Sequence, residues 1–553
     1  MQRALARWAV LDGAAFGADP VSRLSPFALA RMAQRAAREN RTSVSLWRAL
    51  AARAVAVAPT MQPSDMSMLV FAFAKLRFRD RQMMSRIAEA TPMIVGQFRA
   101  ADITFFLAAF ARLDVQHRLV FNLFAREIAR KLHDFSAAQL GELVYAYARL
   151  NLRHEILLGV VKKRVTEVVK ALQPRHLAMI TNGFARLAVA DERFFTVIAA
   201  EVSRKTPDFS GQCLALVANA YARLSVRNRF LLEMLGDEAF RKRGELAPQS
   251  VALLLNAHAR LRLANPILFD YFAQEVPRRI RVQTLQSACL VASAFARQRR
   301  AEPALFEKLG DFACERASEL YPRAVATLLY AFAEVDIRHG VLFYNVPSYV
   351  VRSISAFSTD ELAMVARSYG HFQMVHLQLF DAITAVLPER VLVAPEPEVP
   401  LLDGEGDEHS FEDDPAPSAP GDSAPRVGAL VGLLEAYARL TIYDAGVLQL
   451  LCDAVTARGS ELEPAQVVQV ARSAAALSFA HPGVIRLATD CLTSRGEDLP
   501  LEQLELLGRA LETLGVAAPA GGSAVRLLER PVATAPADGP RPPVGAAAVT
   551  DGG

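Results

Sequence analysis

Residues 146–150 read AYARL, and a related five-residue motif returns every 37 residues along the chain. Nine copies follow one another from Ala72 to Ser368 without an inserted or deleted residue, as AFAKL, AFARL, AYARL, GFARL, AYARL, AHARL, AFARQ, AFAEV and SYGHF. Self-similarity at such a period is typical of stacked supersecondary units, each of which buries its apolar face against its neighbours. The sequence therefore predicts a repeat array rather than a globular enzyme core.

Apolar residues around the motif have helical spacing. Leu140, Leu143, Tyr147 and Leu150 fall within about 80° of one another at helical pitch, which makes a single apolar stripe. The stripe predicts an A helix of about 13 residues that ends in the motif. A short polar turn and a second amphipathic segment, such as residues 156–169, predict a B helix. The predicted fold class is all-α, an α-solenoid of about twelve to thirteen helix-turn-helix repeats.

The period also predicts where the array is interrupted. Counting back one period from Ala72 reaches Arg35, and residues 25–55 are predicted to be a degenerate capping repeat. The motif next returns at Ala436, 68 residues after Ser368, and the excess over one period is acidic and rich in proline. The predicted domains are a transit peptide or N-terminal cap (1–24), a solenoid (25–392), a disordered insertion (393–425), C-terminal repeats (426–515) and a disordered tail (516–553).

The charge distribution favours a polyanionic partner. The formal net charge is +4, but residues 394–425 hold ten acids and no Lys or Arg, which leaves 62 basic against 48 acidic residues elsewhere. Arg3 and Arg7 belong to an Arg-rich, acid-poor start that resembles a mitochondrial or plastid transit peptide, and an ordinary capping helix is the alternative. No apolar run reaches the roughly 18 residues that span a bilayer.

Two columns of residues are predicted to point outward, opposite the core stripe, along one groove. The residue immediately before the motif forms the preceding column, and the fourth residue of the motif forms the cation column. A nearly constant cation beside a variable residue suits single-stranded RNA, because cations neutralise phosphates while variable residues hydrogen-bond to or stack on bases. The candidate nucleic-acid-binding residues are Lys75, Arg112, Arg149, Arg186, Arg223, Arg260, Arg297 and Arg439 in the cation column, and Tyr145, Asn182, Asn219, Asn256, Ser293, Tyr330 and Arg367 in the preceding column.

Structural explanations compete with each of these assignments. Cations near a helix C-terminus stabilise its carbonyls in any protein, and the Asn run could form ladders between repeats. The histidines eight residues after each motif start alternate with Asp and Asn, so they are interpreted as N-caps of the B helices. His258 takes the core aromatic position. Basic clusters at B-helix ends, such as 241–243, are interpreted mainly as solvated faces, with phosphate contact as the alternative.

The chain carries no recognisable catalytic motif. It lacks a Gly-rich phosphate loop, an H-E-x-x-H sequence and a G-x-S-x-G sequence, and its five cysteines fit no zinc spacing. We therefore expect a protein that is not an enzyme and that requires no metal or other cofactor.

The motif L-x-x-A-[FY]-A-R-L on a 37-residue, two-helix period resembles the heptatricopeptide-repeat proteins. These are similar to the octotricopeptide-like arrays that precede RAP domains and to the repeats of FAST-kinase-like proteins, although this chain has no recognisable RAP domain. The resemblance implies an α-solenoid that binds organellar RNA and acts in RNA processing, transcript stability or mitoribosome assembly. It implies a mitochondrial matrix location, with a plastid as the alternative.

The combined expectation is an RNA-binding repeat protein that holds single-stranded RNA or rRNA fragments along its A helices, free or beside mitoribosomal and other organellar proteins. The alternative from a different class is a protein-interaction scaffold, or a structural subunit of a mitochondrial complex, without direct RNA contact.

Overall fold

The computed structural model describes residues 19–263, 265–391, 425–495 and 499–516, and all regular structure in these ranges is helical. Three predicted segments lie mostly outside the described residues. They are the transit peptide, up to residue 18, the acidic insertion, of which only Pro425 is described, and the tail beyond Val516. A short helix, Asp19–Ser22, precedes the repeats.

The predicted α-solenoid of helix-turn-helix repeats is confirmed. Every A helix in the described ranges is 13 residues long, the length that the apolar stripe predicts. The A helices are Pro26–Arg38, Pro63–Lys75, Ala100–Arg112, Ala137–Arg149, Pro174–Arg186, Gly211–Arg223, Pro248–Arg260, Leu285–Arg297, Pro322–Glu334, Thr359–His371, Val427–Arg439, Pro464–Ala476 and Leu501–Thr513.

A B helix follows each A helix except the last one described. Most B helices continue into a single 3₁₀ turn, such as Leu132–Asp134, before the next A helix begins. The B helices are Val44–Val57, Arg81–Ala90, Arg118–Arg130, Glu155–Val168, Glu192–Lys205, Arg229–Arg241, Pro266–Arg278, Pro303–Glu315, Gly340–Arg352, Leu377–Val391, Ala445–Ala457 and Pro482–Ser494.

The described residues form two compact units. Unit 1 ends at Phe357 and unit 2 begins at Ser358. Within unit 1, A helices pack against the A helices of neighbouring repeats, and B helices pack against B helices. Within unit 2, Thr359–His371 packs directly against Val427–Arg439, although residues 372–426 lie between them in the chain. The A-helix layer of unit 2 therefore continues across the segment predicted to be an insertion.

Small residues at the first and third motif positions let the A helices approach closely. Ala146 and Ala148 are buried, as are their counterparts from Ala72 to Ala475, whereas Arg35 and Glu512 in the first and last repeats described are exposed. Gly183 takes the first position in its repeat, and a Cβ atom there would lie 2.5 Å from the Val144 side chain of the preceding A helix. Such contacts leave no room for a larger residue, because protein interiors are close-packed.

A residue with left-handed backbone conformation follows each A helix, five positions after the motif start. Ala188 has φ 55° and Ser225 has φ 55°, and corresponding residues of the other repeats have similar values. The N–H of the following residue closes the turn, as when Val189 donates to the Phe184 carbonyl over 3.0 Å. Only Gly515 at this position is a glycine, so nearly every repeat carries a β-carbon in a conformation that disfavours one.

The B helices begin at the predicted N-cap column. Asp80 Oδ1 accepts a hydrogen bond from the Met83 N–H at 2.8 Å, and Asn228 Oδ1 accepts one from the Leu231 N–H at 3.0 Å. In His117 the Nδ1 atom accepts from the Val120 N–H at 3.4 Å, and the other histidines of the column do the same. The N-cap interpretation is confirmed for all of these residues; Glu302 makes no such side-chain bond.

The core aromatic position joins each A helix to the preceding B helix. The Tyr147 hydroxyl donates to the Phe121 carbonyl at 2.7 Å, and the Tyr221 hydroxyl donates to the Phe195 carbonyl at 2.6 Å. His258 occupies the same position, with Nε2 3.2 Å from the Leu232 carbonyl oxygen and only 1% of its surface exposed. The prediction that His258 is a packed core residue is confirmed, and its burial lowers the pKa of the imidazole.

Replacement of Ala188 by glycine should stabilise the chain. Removing the β-carbon relieves about 1–2 kcal/mol of steric strain in the left-handed conformation. The extra entropy that glycine gives the unfolded chain lowers stability by only about 0.4–1 kcal/mol. Ala188→Gly should therefore raise the guanidinium midpoint of unfolding. Ala200→Gly is the matched control, because Ala200 is exposed within Glu192–Lys205 and glycine there should lower the midpoint. Equal effects at both positions would contradict the explanation.

His258 should make stability fall with acidification. Its pKa is lowered in the fold, so below the ordinary value of 6.5 the unfolded chain binds a proton that the folded chain does not. His258→Tyr places a hydroxyl donor toward the Leu232 carbonyl, as Tyr221 does toward the Phe195 carbonyl, and removes this penalty. The advantage of the variant should therefore grow by up to about 1.4 kcal/mol per pH unit below 6.5. Denaturant unfolding at pH 7 and pH 5 measures it; a constant difference between the two proteins would refute the assignment.

Candidate nucleic-acid interface

One face of each A helix lies opposite the core stripe. In Ala137–Arg149, residues Ala138, Glu142, Tyr145 and Arg149 follow one another at intervals of four, three and four positions. Residues with this spacing share one face of an α-helix. The structure places the last three of them around the same cavity, so the two predicted columns belong to a wider surface that we call the A face.

A cavity of about 590 Å³ lies on the A face of unit 1. Five successive A helices and one of the turns that follow them contribute to its wall. Five cations and a single carboxylate are among the lining side chains, so the cavity is strongly electropositive. The lining residues are Ala74, Lys75, Arg77, Arg112, Glu142, Tyr145, Arg149, Arg175, Met179, Ser210, Gln212 and Cys213.

Arg149 is held in place without losing its charge. Its Nε–H donates to the Ala111 carbonyl of the preceding A helix at 2.8 Å, and Nη1 donates to the Tyr145 hydroxyl at 3.3 Å. Among the ion pairs of the described residues, none includes Arg149, Arg112 or Lys75. A positioned guanidinium whose charge is not balanced by a carboxylate is well suited to an anionic ligand.

The structure brings together only the first part of the predicted cation column. Lys75, Arg112 and Arg149 line the cavity. The remaining unit 1 members lie on the next A helices and do not line it. Arg186, Arg223 and Arg260 are half-buried, whereas Arg297 is exposed and its Nε donates to the Ser293 hydroxyl at 3.3 Å.

The prediction that the preceding column points outward is wrong for two of its asparagines. Asn182 is 7% exposed and Asn256 is 2% exposed. Tyr145, Asn219, Ser293 and Tyr330 are half-buried. The physical reason is the close approach of neighbouring A helices, which covers short side chains lying between them. The Oδ1 atom of Asn256 is buried and accepts no hydrogen bond from the described residues.

Within unit 2, the predicted sites Arg367 and Arg439 are held by a carboxylate. Glu435 Oε1 lies 2.6 Å from Arg439 Nη2, and Glu435 Oε2 lies 3.7 Å from Arg367 Nε. Gln469 Nε2 also donates to this carboxylate. This one carboxylate offsets part of the charge of the two arginines, whose side chains stay 37% and 49% exposed.

The basic clusters at the B-helix ends join neighbouring repeats. Lys242 Nζ donates to the Pro207 and Phe209 carbonyls at 2.6 and 2.7 Å, and it lies 3.0 Å from the Glu238 carboxylate. Lys131 and Lys205 make the equivalent bonds in their repeats.

Each of these lysines pairs with a buried glutamate. Hydrogen bonds from Arg204 and Lys205 lower the pKa of Glu201 to about 2. Arg241 and Arg243 are exposed, as the solvated-face interpretation expects, whereas the half-buried Lys242 bonds to the neighbouring repeat instead.

Sequence reasoning missed several residues of the A face. Arg175, Glu142 and Gln212 lie eight, four and eight positions before their motifs, and extending the helical spacing backward would have found them. Arg77 lies in the turn after its A helix with φ 56°, so a helical wheel cannot predict where its side chain lies. Burial and the neighbouring Arg175 lower the pKa of His176, so this imidazole adds no charge near neutral pH.

The described residues contain no group of three or more His, Cys, Asp or Glu side chains arranged to hold a metal ion. No helix among them is long and apolar enough to cross a bilayer.

One protein-family model matches part of this chain. The model for the RNA-editing substrate-binding complex 6 protein aligns with residues 23–141 and 100–282, which together make up a little under half of the sequence. Overlapping matches to one model are what an array of equivalent repeats produces. The match supports a helical-repeat family without singling out the heptatricopeptide-repeat proteins. No curated protein matches the sequence significantly.

Solved structures give only distant likenesses. A homology model of the full-length AP-3 complex in an intermediate open conformation is 9% identical, with coverage of 89% of this chain and 91% of that chain and a TM-score of 0.27. The pentatricopeptide repeat protein PPR10 in complex with an 18-nt psaJ RNA element is 10% identical, with coverage of 89% and 94% and a TM-score of 0.17. Likenesses this weak bear on neither the site nor the function.

Glu142 should weaken anion binding in the cavity. It is the one carboxylate among the lining residues, and it lies 3.9 Å from Arg175 Nη2. Glu142→Gln removes its negative charge, and we expect inorganic polyphosphate to bind about two- to fivefold more tightly, as an exposed charge contact predicts. Titration calorimetry measures the change. Glu192→Gln, on the exposed first turn of a B helix, is the control and should leave affinity unaltered. Weaker binding by Glu142→Gln would contradict the electrostatic description.

Proposed function

We propose that the chain is an RNA-binding α-solenoid and that unit 1 holds single-stranded RNA along its A face. Lys75, Arg112 and Arg149 neutralise consecutive phosphates, and Tyr145 contributes a hydroxyl and a ring beside them. Binding without catalysis is the proposed activity. The later cations of the column, Arg186, Arg223, Arg260 and Arg297, extend the same path.

The observation that carries this proposal is the cavity of about 590 Å³ with five lining cations and one carboxylate. Desolvating like charges on one wall is unfavourable unless an anionic ligand compensates them. A phosphodiester chain supplies regularly spaced negative charges, and successive packed helices lie about 8–10 Å apart. One or two nucleotides can bridge that interval, which suits a repeated phosphate contact along neighbouring A helices.

The family match supports RNA as the polyanion. The matched model carries the name of an RNA-editing substrate-binding complex protein, and its match includes the five A helices that line the cavity. The corresponding proposal for this chain is a component of a complex that holds RNA during processing. RNA editing, transcript stability and mitoribosome assembly are the processes in which such a component acts, and other organellar proteins are its proposed partners.

The Arg-rich start of the chain supports an organelle as the location. We place the protein in the mitochondrial matrix, and a plastid is the alternative. Import of the full-length chain into isolated mitochondria, with loss of an N-terminal fragment, would test this placement.

The salt dependence of RNA binding tests the proposed contacts. Each phosphate contact on a single strand contributes about 0.7 to the slope of log affinity against log salt. The triple variant Lys75→Gln, Arg112→Gln, Arg149→Gln should therefore bind a 12-nucleotide oligouridylate more weakly, with a slope shallower by about 2. Fluorescence anisotropy between 50 and 300 mM salt measures both quantities, and circular dichroism checks that helicity is retained.

A matched variant removes three charges from B helices of neighbouring repeats. Arg126, Lys163 and Arg193 are exposed there, and their replacement by Gln should leave the slope unchanged. Equal effects of the two triple variants would show that only net charge matters. A salt-independent affinity of the wild-type protein would exclude the phosphate mechanism.

A protein-interaction scaffold is the second candidate function. Exposed apolar side chains recur ten residues after the motif start, on the first turn of several B helices, and such a pattern is suited to a protein partner. They are Leu119, Ile156, Phe230, Ile267 and Val341. A purified chain that carries a stable protein partner and no nucleic acid, judged by its 260/280 nm absorbance, would favour the scaffold.

A further inference from the structure

Two aromatic rings meet on the A face at the N-terminal end of the cavity. Phe71 and Phe105 come from neighbouring A helices, and their ring centroids lie 5.1 Å apart in an edge-to-face arrangement. Phe105 is 49% exposed, so much of its ring is open to solvent. An exposed phenylalanine is ordinary by itself, but a pair beside a cationic cavity is not.

Arg112 connects these rings to the cavity. Its guanidinium carbon lies 5.3 Å from the centroid of Phe71, and the same side chain lines the cavity wall. Lys75, one helical turn after Phe71, lines the cavity as well. An apolar ring and two cations thus lie together at this end of the cavity.

We propose that Phe71, Phe105 and Arg112 form a stacking site that seats one unstacked base of a single-stranded RNA while its phosphate lies in the cavity. The site depends on the proposed RNA-binding function and gives it a selectivity for single strands. Bases in a duplex already stack on their neighbours, whereas an unpaired base can lie against Phe105. Since every base has an aromatic face and the phenyl rings offer no hydrogen bonds, the site accepts any of the four bases.

The first A helix, at the N-terminal end of unit 1, also carries an exposed ring beside an arginine. Phe27 is exposed, and the guanidinium carbon of Arg31 lies 5.7 Å from its ring centroid. These residues lie eight and four positions before Arg35, so they occupy A-face positions. In contrast, Phe230 is 69% exposed on a B helix and belongs to none of the cation–π pairs in the described residues. Other cation–π pairs occur at B helices, such as Arg316 with Phe312, but Phe312 is buried, whereas Phe27 and Phe105 expose their rings on the A face.

Removing the Phe105 ring should weaken RNA binding without changing its salt dependence. Stacking on one aromatic ring contributes about 1–3 kcal/mol, so Phe105→Leu should lower the affinity for fluorescein-labelled 12-nucleotide oligouridylate about tenfold or more. Phe105→Tyr should restore it, because the ring is retained. Phe230→Leu is the matched control and should bind like the wild type. The affinity for inorganic polyphosphate, which carries no base, should be the same in all four proteins.

The outcomes separate the stacking site from the proposed function. If Phe105→Leu binds the oligonucleotide like the wild type while the Lys75, Arg112 and Arg149 triple variant binds it weakly, the stacking site is wrong and RNA binding stands. If the wild-type protein fails to bind the oligonucleotide, both proposals fall. A 12-base-pair RNA duplex that binds the wild type as tightly as the single strand also overturns the stacking site. Unfolding midpoints equal to that of the wild type exclude misfolding as the cause.

Discussion

Successive A helices approach one another closely because residues at the first and third motif positions are small. Ala146, Ala148 and their counterparts from Ala72 to Ala475 are buried in this contact, and Gly183 leaves no space for even a β-carbon. The contact fixes the rotation of every A helix about its own axis. Since the interval between motifs is constant, equivalent residues of neighbouring repeats come to lie side by side. The alignment of Lys75, Arg112 and Arg149 depends on this packing.

The same packing separates residues that share a column in the sequence. Arg149 lines the cavity and bonds to the Ala111 carbonyl of the preceding A helix. In the preceding column, Asn182 and Asn256 are covered, whereas Asn219 and the shorter Ser293 stay half-buried. The local packing of each pair of A helices therefore decides how far a member of a column is exposed.

The arginines of the cation column have different partners in units 1 and 2. In unit 2, Glu435 pairs with both Arg367 and Arg439 and offsets part of their charge. At the cavity of unit 1, Arg149 is held by a carbonyl and a hydroxyl, which orient it and leave its charge uncompensated. At the B-helix ends, Lys131, Lys205 and Lys242 hold carbonyls of the preceding repeat, so those cations contribute to the stacking of repeats. An ionic side chain thus joins repeats, pairs within the fold or keeps its charge open according to its partner.

The sequence by itself determined the helical elements, because caps and apolar stripes act over a few residues. The N-caps Asp80 and His117, the core position of His258 and the 13-residue A helices follow from spacing alone. It also located three of the five cations of the cavity. Only the tertiary structure decided which outward residues stay open, which are covered and which pair with a carboxylate. Those outcomes depend on residues one repeat or more away in the chain, such as Val144 facing Gly183 and Glu435 facing Arg367. Helical periodicity carries no information about how closely two neighbouring A helices approach each other.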